Sequence, residues 1–452
     1  VVDADGEPLL PHEANPITLE PTNQLIIYLP AGNLSTFSRL SDAVDVFRRR
    51  YPDVEVIVEF IGNTYDYGAL FFQQYPQRVS AEMMAGGGPC IILTHVFEDI
   101  HKTMDSGAFL NLSPFWHRDA DFAARDQVNH VIMDAGVHRG RRYVVPISFY
   151  LKLYLGERHM LEAMGFDFDH GGTPTAFLNA VQQVIPAAQQ NPLFVRALGR
   201  TYQHMMNNLF PQLPLVDFER GEVLPYEEVV RAFSQAFAPF YGDTTDLYTL
   251  MMQYRTERMK RYGRMLFHSY WVASQEILFG YSALLSHSPL GVDPLYMPYI
   301  VPGRNHHGEI HASVAQSLAI NANTPNYVNA WRFIRFMLTE LRQYSTQGTV
   351  GFWGLGGGMP VNTIALTRQL NGIVATHGII GTVEGIVTQR ALTHAEREGL
   401  NNIFLGIESA VLPNRAVSVI YREIMTPFFR GEVSLDDAME NLRRRLQLYL
   451  TE

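Results

Sequence analysis

Few groupings in this chain could do covalent or metal chemistry. His306, His307 and His311 lie close together, and the last two are four apart, the spacing that lets two imidazoles share a metal ion on a helix. Pro302, Gly303 and Gly308 break any helix there, so the segment reads as a loop and no metal site is expected. Asp3, Asp5 and Gly6 resemble the start of a calcium loop, but the closing bidentate glutamate is missing. The glycine runs at 86–88 and 354–358 could cradle phosphate, yet neither leads into Lys-Ser or Lys-Thr. Neither G-x-S-x-G nor H-E-x-x-H occurs. Cys90, the single cysteine, opens an apolar run where a thiol is inert, and one cysteine makes neither an intrachain disulfide nor a Cys-based zinc site. No catalytic residue and no cofactor are expected. A glycosidase carboxylate pair needs no motif, so a carbohydrate-active hydrolase stands as the alternative reading.

The stronger signal is a set of aromatic and short polar residues at the ends of apolar runs. A sugar offers C–H faces that stack on rings and hydroxyls that pair with small polar side chains. In open α/β sheets such groups gather at the carboxyl ends of strands. Those positions supply Tyr28, Asn33, Asn63, Tyr65, Thr94, His95, Ser148, Tyr150, Tyr270, Trp271 and Trp353 as the candidate ligand-binding set. Aromatics make up 12% of the chain, so core packing competes for every ring. Packing is the favoured reading for Tyr28, Phe149, Tyr154 and Trp116, and for Trp331 on an apolar helix stripe.

The elements that must position these residues alternate early in the chain. A strand is predicted at 25–29. A helix follows, with Phe37, Leu40, Val44 and Phe47 on one face, stopped by Tyr51-Pro52. Val54, Val56, Val58 and Phe60 alternate as a strand. A second helix over 71–85 ends at Gly86, and an apolar strand runs over 90–93. This β-α-β-α-β order implies an open parallel sheet with right-handed crossovers. Two strands are expected at 143–146 and 151–155, then a mostly helical stretch over 160–262, a strand at 264–267 and another at 315–320. A helix is predicted after it, with Thr324 as N-cap and Pro325 first in the helix. Ser434 and Asp437 form a capping box for the last helix, which carries Leu435, Ala438, Leu442, Leu446 and Tyr449 on one face.

Length and charge narrow the class. A chain of 452 residues exceeds one simple core, so two globular lobes are expected. Net charge is −10 with basic residues spread out, which argues against nucleic acid. No run approaches the roughly 20 apolar residues of a membrane span. Residues 1–22 have neither a basic start nor an apolar centre and read as a flexible leader.

Seven short motifs, in order, resemble family 1 extracellular solute-binding proteins. They are VFRRRYPDVEV at 46–56, MAGGGP at 84–89, DSGAFLNLS at 105–113, the G-x-x-Y-x-x-P step at 140–146, WRFIRF at 331–336, GMPVN at 358–362 and GEVSLDDA at 431–438. The resemblance covers nearly the whole chain after residue 23. It implies an α/β, two-lobed periplasmic-binding-protein-like fold with a ligand cleft between lobes. Lobe I would comprise 23–142 and 298–347, and lobe II 143–297 and 348–452. It further implies a mono- or oligosaccharide ligand, captured by hinge closure, and delivery to the permease subunits of an ABC transporter. The setting would be the extracellular face of the membrane or the periplasm, with membrane contact only through a lipid anchor outside this chain. Trp271 and Trp353 match positions where the family stacks a sugar. Two departures stand out. Cys90 occupies a position where the family usually has Asp, and 196–254 matches nothing in the family.

Overall fold

The computed structural model describes residues 23–30, 35–62, 69–189, 214–237, 267–272, 298–339, 358–372, 379–382, 385–388 and 394–452. The strands used below are β1 (Gln24–Pro30), β2 (Glu55–Ile61), β3 (Ile91–Leu93), β4 (Val145–Glu157), β5 (Phe267–Val272), β6 (Pro298–Pro302), β7 (His311–Ile320), β8 (Met359–Pro360) and β9 (Ser409–Val411). The helices are α1 (Ser35–Arg50), α2 (Ala69–Met84), α3 (Pro174–Gln189), α4 (Glu227–Phe237), α5 (Tyr327–Met337), α6 (Arg415–Phe429) and α7 (Leu435–Thr451). The chain forms two compact units. Unit 1 holds Val1–Tyr150, Ser313–Arg368 and Leu412–Arg415; unit 2 holds Leu151–Ala312, Gln369–Val411 and Ala416–Glu452.

In unit 1, β1 pairs in parallel with β2, Leu25 opposite Val56, and with β3, Ile27 opposite Ile91. The far end of β7 then pairs antiparallel with β3, Leu318 opposite Leu93 and Ile320 opposite Ile91. The expected parallel sheet of early strands is therefore present, and a strand distant in sequence joins it. Its apolar side chains, among them Leu25, Ile27, Ile91, Ile92, Leu318 and Ile320, are buried. Helix α5 covers α1 through aromatic contacts, with Phe47 centred 5.1 Å from Phe333 and 5.6 Å from Phe336. Asp119 pins α5 from outside by accepting Trp331 Nε1–H at 2.6 Å and pairing with Arg335 at 2.8 Å. Trp116 and Trp331 are both core residues, as expected.

Unit 2 is mainly helical. Leu178, Val181 and Val184 of α3, Val230 and Phe233 of α4, Met425 of α6 and Leu442 and Leu446 of α7 share one core. Ion pairs from α7 to α4, Arg443 with Glu227 and Asp436 with Arg231, lie over that core. The capping box forms as read, with Ser434 Oγ accepting the Asp437 N–H at 3.1 Å.

Three local expectations change. The two strands expected at 143–146 and 151–155 are replaced by one continuous β4 of 13 residues, Val145–Glu157. A strand can carry Pro146 at its start, because proline is tolerated there. The stretch read as mostly helical contains a hairpin, Val216–Asp217 against Glu222–Val223. Gly221 turns it at φ +66°, a conformation open to glycine. Thr324 is not the N-cap of α5; that position is Asn326. The Thr324 hydroxyl is used elsewhere, donating to Cys90 Sγ at 3.1 Å. Of the strand expected at 264–267, residues 264–266 lie outside the described residues, and Phe267 begins β5.

Cys90 is 3% exposed, and burial raises its thiol pKa. Its sulfur accepts both the Thr324 hydroxyl and the Ile26 N–H, the latter at 3.4 Å. Two donors thus converge on this sulfur. A disulfide reagent should label Cys90 slowly in native protein and at once in denaturant, because only the exposed thiolate reacts. Equal rates in the two states would show the thiol to be exposed.

Candidate functional site

The residues that end β3 form the best-defined polar group of unit 1. Tyr75 of α2 is fully buried, and its phenol oxygen accepts the Leu93 N–H at 2.8 Å. That bond terminates the strand and turns the chain into the short 3-10 segment Thr94–Val96. Thr94 Oγ1 then meets Ser317 Oγ of β7 at 2.5 Å, both side chains being buried. His95 hydrogen-bonds the Ser317 main chain and feels the charge of Arg415. Burial is the largest influence on its pKa, which falls to about 4, so the ring is neutral at pH 7. Ser148 of β4 is fully buried, and its hydroxyl has no partner among the described residues. A Cβ added to Gly358 would lie 2.6 Å from Ser148 Oγ and 2.9 Å from the Ala315 Cβ, so only glycine fits this approach.

Tyr28 belongs to a charged network. Its hydroxyl donates to Glu82 Oε2 at 2.6 Å, and Arg78 lies 4.5 Å from the ring centroid. Arg78 also bridges Glu59 at 2.5 Å and Glu82 at 2.6 Å. Burial first, then Glu82, pushes the Tyr28 pKa up to about 12. Tyr150 closes the unit 1 part of β4, and burial raises its pKa. Tyr270 and Trp271 sit on β5 in unit 2, opposite Leu153 and Lys152 of β4. Asn33, Asn63, Tyr65 and Trp353 lie outside the described residues.

The structure thus brings together Thr94 and His95, and adds Ser317, which sequence reading had not singled out. Its signal was present in the alternation of β7, where His311, Ser313, Ala315, Ser317 and Ala319 share one face. Lys152 was also missed. It is 1% exposed within β4, and burial drives its pKa well down. His306 and His307 lie in the turn that links the bridged pair Arg304 and Ile310, while His311 opens β7. Among the described residues no group of three or more His, Cys, Asp or Glu is placed to hold a metal ion. Among them, too, no helix is long and apolar enough to cross a membrane.

The fold has close counterparts among solved structures. One is the sugar-binding protein MalE from Xanthomonas citri, at 14% identity and TM-score 0.57, covering 95% of this chain and 97% of that one. Another is a periplasmic oligogalacturonide-binding protein from Yersinia enterocolitica, at 15% identity and TM-score 0.55, covering 95% and 99%. A third is a family 1 extracellular solute-binding protein from Bifidobacterium longum subsp. infantis, at 15% identity and TM-score 0.54, covering 93% and 98%. The chain has the two-lobed α/β fold of periplasmic solute-binding proteins. No family model matches it, and no curated protein does.

Two predictions follow from the buried polar groups. Thr94→Val keeps the shape but leaves the Ser317 hydroxyl without its side-chain partner, which should cost about 1–3 kcal/mol in urea unfolding. An unchanged midpoint and slope would show that this pair adds nothing. The second concerns acid. Burial is the largest cause of the lowered pKa of His95 (about 4), His101 (about 3) and His311 (about 4). Each folded-state value lies below the unfolded value near 6.5, so the unfolded chain binds more protons between the two. Stability should therefore be level above pH ~6.5 and fall as pH drops toward ~4, by up to about 1.4 kcal/mol per pH unit per histidine. Denaturant midpoints that stay constant from pH 7 to 5 would refute this.

Proposed function

We propose that this chain is a solute-binding protein that captures a mono- or oligosaccharide by a hinge-closing movement and delivers it to the permease subunits of an ABC importer. One observation carries the reading. The whole architecture, not one lobe, matches receptors over about 95% of the chain, as in the Yersinia and Xanthomonas structures. The Yersinia counterpart is named for oligogalacturonide, and similar structures from Listeria monocytogenes and Thermotoga lettingae are named with cycloalternan and α-D-tagatose. The local chemistry agrees. Thr94, Ser317 and neutral His95 supply uncharged donors and acceptors at a strand end, the groups that pair with hydroxyls.

On this reading the protein binds without turning its ligand over. It works outside the cytoplasm, at the cell surface or in the periplasm, and any membrane contact of its own comes from a lipid anchor outside this chain. Trp271 and Trp353 are proposed as the stacking rings, on the strength of the family motif.

The test is titration calorimetry and thermal shift with maltotriose, α-D-tagatose and trigalacturonate, run beside an assay for released reducing ends. Saturable binding of at least one sugar with no product is expected. At a hundredfold excess over Kd the bound state should gain about 2.7 kcal/mol of stability. Product release would favour the hydrolase instead, and absence of binding to all three sugars would remove support for a carbohydrate receptor of this kind.

A further inference from the structure

Between β9 and α6 the chain leaves unit 2, places only Leu412–Arg415 in unit 1, and returns to unit 2 at Ala416. This short visit is anchored by a side chain. Asn414, buried and directly before α6, sets its Nδ2 3.2 Å from Asp99 Oδ1 and 3.2 Å from His101 Nδ1. Both partners belong to the start of one short helix of unit 1, Ile100–Asp105, for which Asp99 is the N-cap. The amide orientation is set by charge, since turning it over would put its oxygen against a carboxylate oxygen. An amide NH2 donates and never accepts, so His101 Nδ1 must offer a lone pair. The anchor therefore requires His101 to be unprotonated at Nδ1.

The groups around His101 set when that holds. Asp99 and Asp105 flank it on its own helix and favour the charged ring, while His138, centred 5.6 Å away, opposes it. Asp105 is itself engaged by His138 Nε2 at 2.8 Å and by Arg139 at 3.1 Å. Lys102 is the other charged residue of the helix. Burial outweighs the carboxylates and, with His138, lowers the His101 pKa to about 3. Withdrawal of Asn414 exposes the ring to water, which returns its pKa toward ~6.5. The withdrawn state then binds more protons between those two values. The anchor is at full strength above pH ~6.5 and weakens as pH falls below it.

We propose that Asn414 is a latch that holds this crossing on unit 1, and that it grips only while His101 Nδ1 is unprotonated, so that acid loosens one chain crossing between the units. The inference concerns the crossing itself and holds whatever ligand the chain takes. His101 and Asp99 are positioning residues in it.

The experiment is amide hydrogen exchange of the parent, Asn414→Ala and His101→Asn at pH 7.5 and 5.0, corrected for intrinsic exchange rates. Fragments spanning 412–421 are compared with the β3 strand, which reports unfolding of unit 1 itself. Asparagine at 101 puts an amide oxygen where Nδ1 lies and does not titrate. In the parent, protection over 412–421 should fall up to roughly thirtyfold between the two pH values, and by more than in β3. His101→Asn should change less than about threefold there. Asn414→Ala should have weak protection over 412–421 at both pH values, with β3 still protected at pH 7.5. A parent whose 412–421 protection changes no more than that of β3 overturns the proposal. So does a folded His101→Asn that keeps the parent's pH dependence, or an Asn414→Ala as protected as the parent. If His101→Asn does not fold, ring nitrogen spectra of the histidine-labelled parent decide the matter. An unprotonated His101 Nδ1 at pH 7.5 supports the latch, and a protonated one overturns it.

Discussion

The antiparallel pairing of β7 with β3 is the constraint on which unit 1 depends. It joins Ile91 to Ile320 and Leu93 to Leu318, pairs 229 and 225 positions apart in sequence. Closing a loop on the scale of the 223 residues between Thr94 and Ser317 costs roughly 5 kcal/mol of chain entropy. Several bonds along the same seam offset it. Asn321 donates its side-chain amide to Gly87 O at 2.8 Å and Pro89 O at 3.1 Å, and its main-chain N–H to Cys90 O. Thr324 reaches Cys90, and Ser317 reaches Thr94. The glycine run at 86–88, which could have suggested a phosphate cradle, serves this seam. Gly86 and Gly88 take positive φ, and Gly88 packs 3.5 Å, measured to an added Cβ, from the Asn321 amide.

The same seam explains why polar residues lie so deep. Ser317 and Thr94 are both hydroxyl-bearing and both buried, which is tolerable because each pairs with the other. Cys90 accepts two donors with a weakly polar sulfur. Three buried histidines behave alike. His95, His101 and His311 are all driven toward the neutral form chiefly by burial. His101 adds the nearby ring of His138, 5.6 Å away, and its Nδ1 meets the side chain of Asn414 at 3.2 Å. Neutral rings are directional hydrogen-bonding groups, better suited to orienting hydroxyls than to attracting charge.

Periodicity along the chain determined much of this by itself. The alternation of Val54, Val56 and Val58, the α1 stripe through Val44 and Phe47, and the Ser434 capping box all follow from contacts within a few residues. So did the burial of Cys90 and Trp331, since each sits in a locally apolar pattern. The motif order then pointed to the two-lobed fold. Tertiary structure decided what local pattern could not encode. Thr324 has the residue type of an N-cap, but its hydroxyl is claimed by a sulfur 234 positions away. Ser317 looked like one more small residue on a strand until Thr94 was found opposite it. His311 belonged in sequence to a histidine cluster, while the fold places its Nδ1 against Ser409, 98 residues on. The physical reason is common to all three. A side chain's hydrogen-bond partner is chosen by what the fold brings within about 3 Å, and sequence spacing specifies that distance only within a turn of helix or a step of strand.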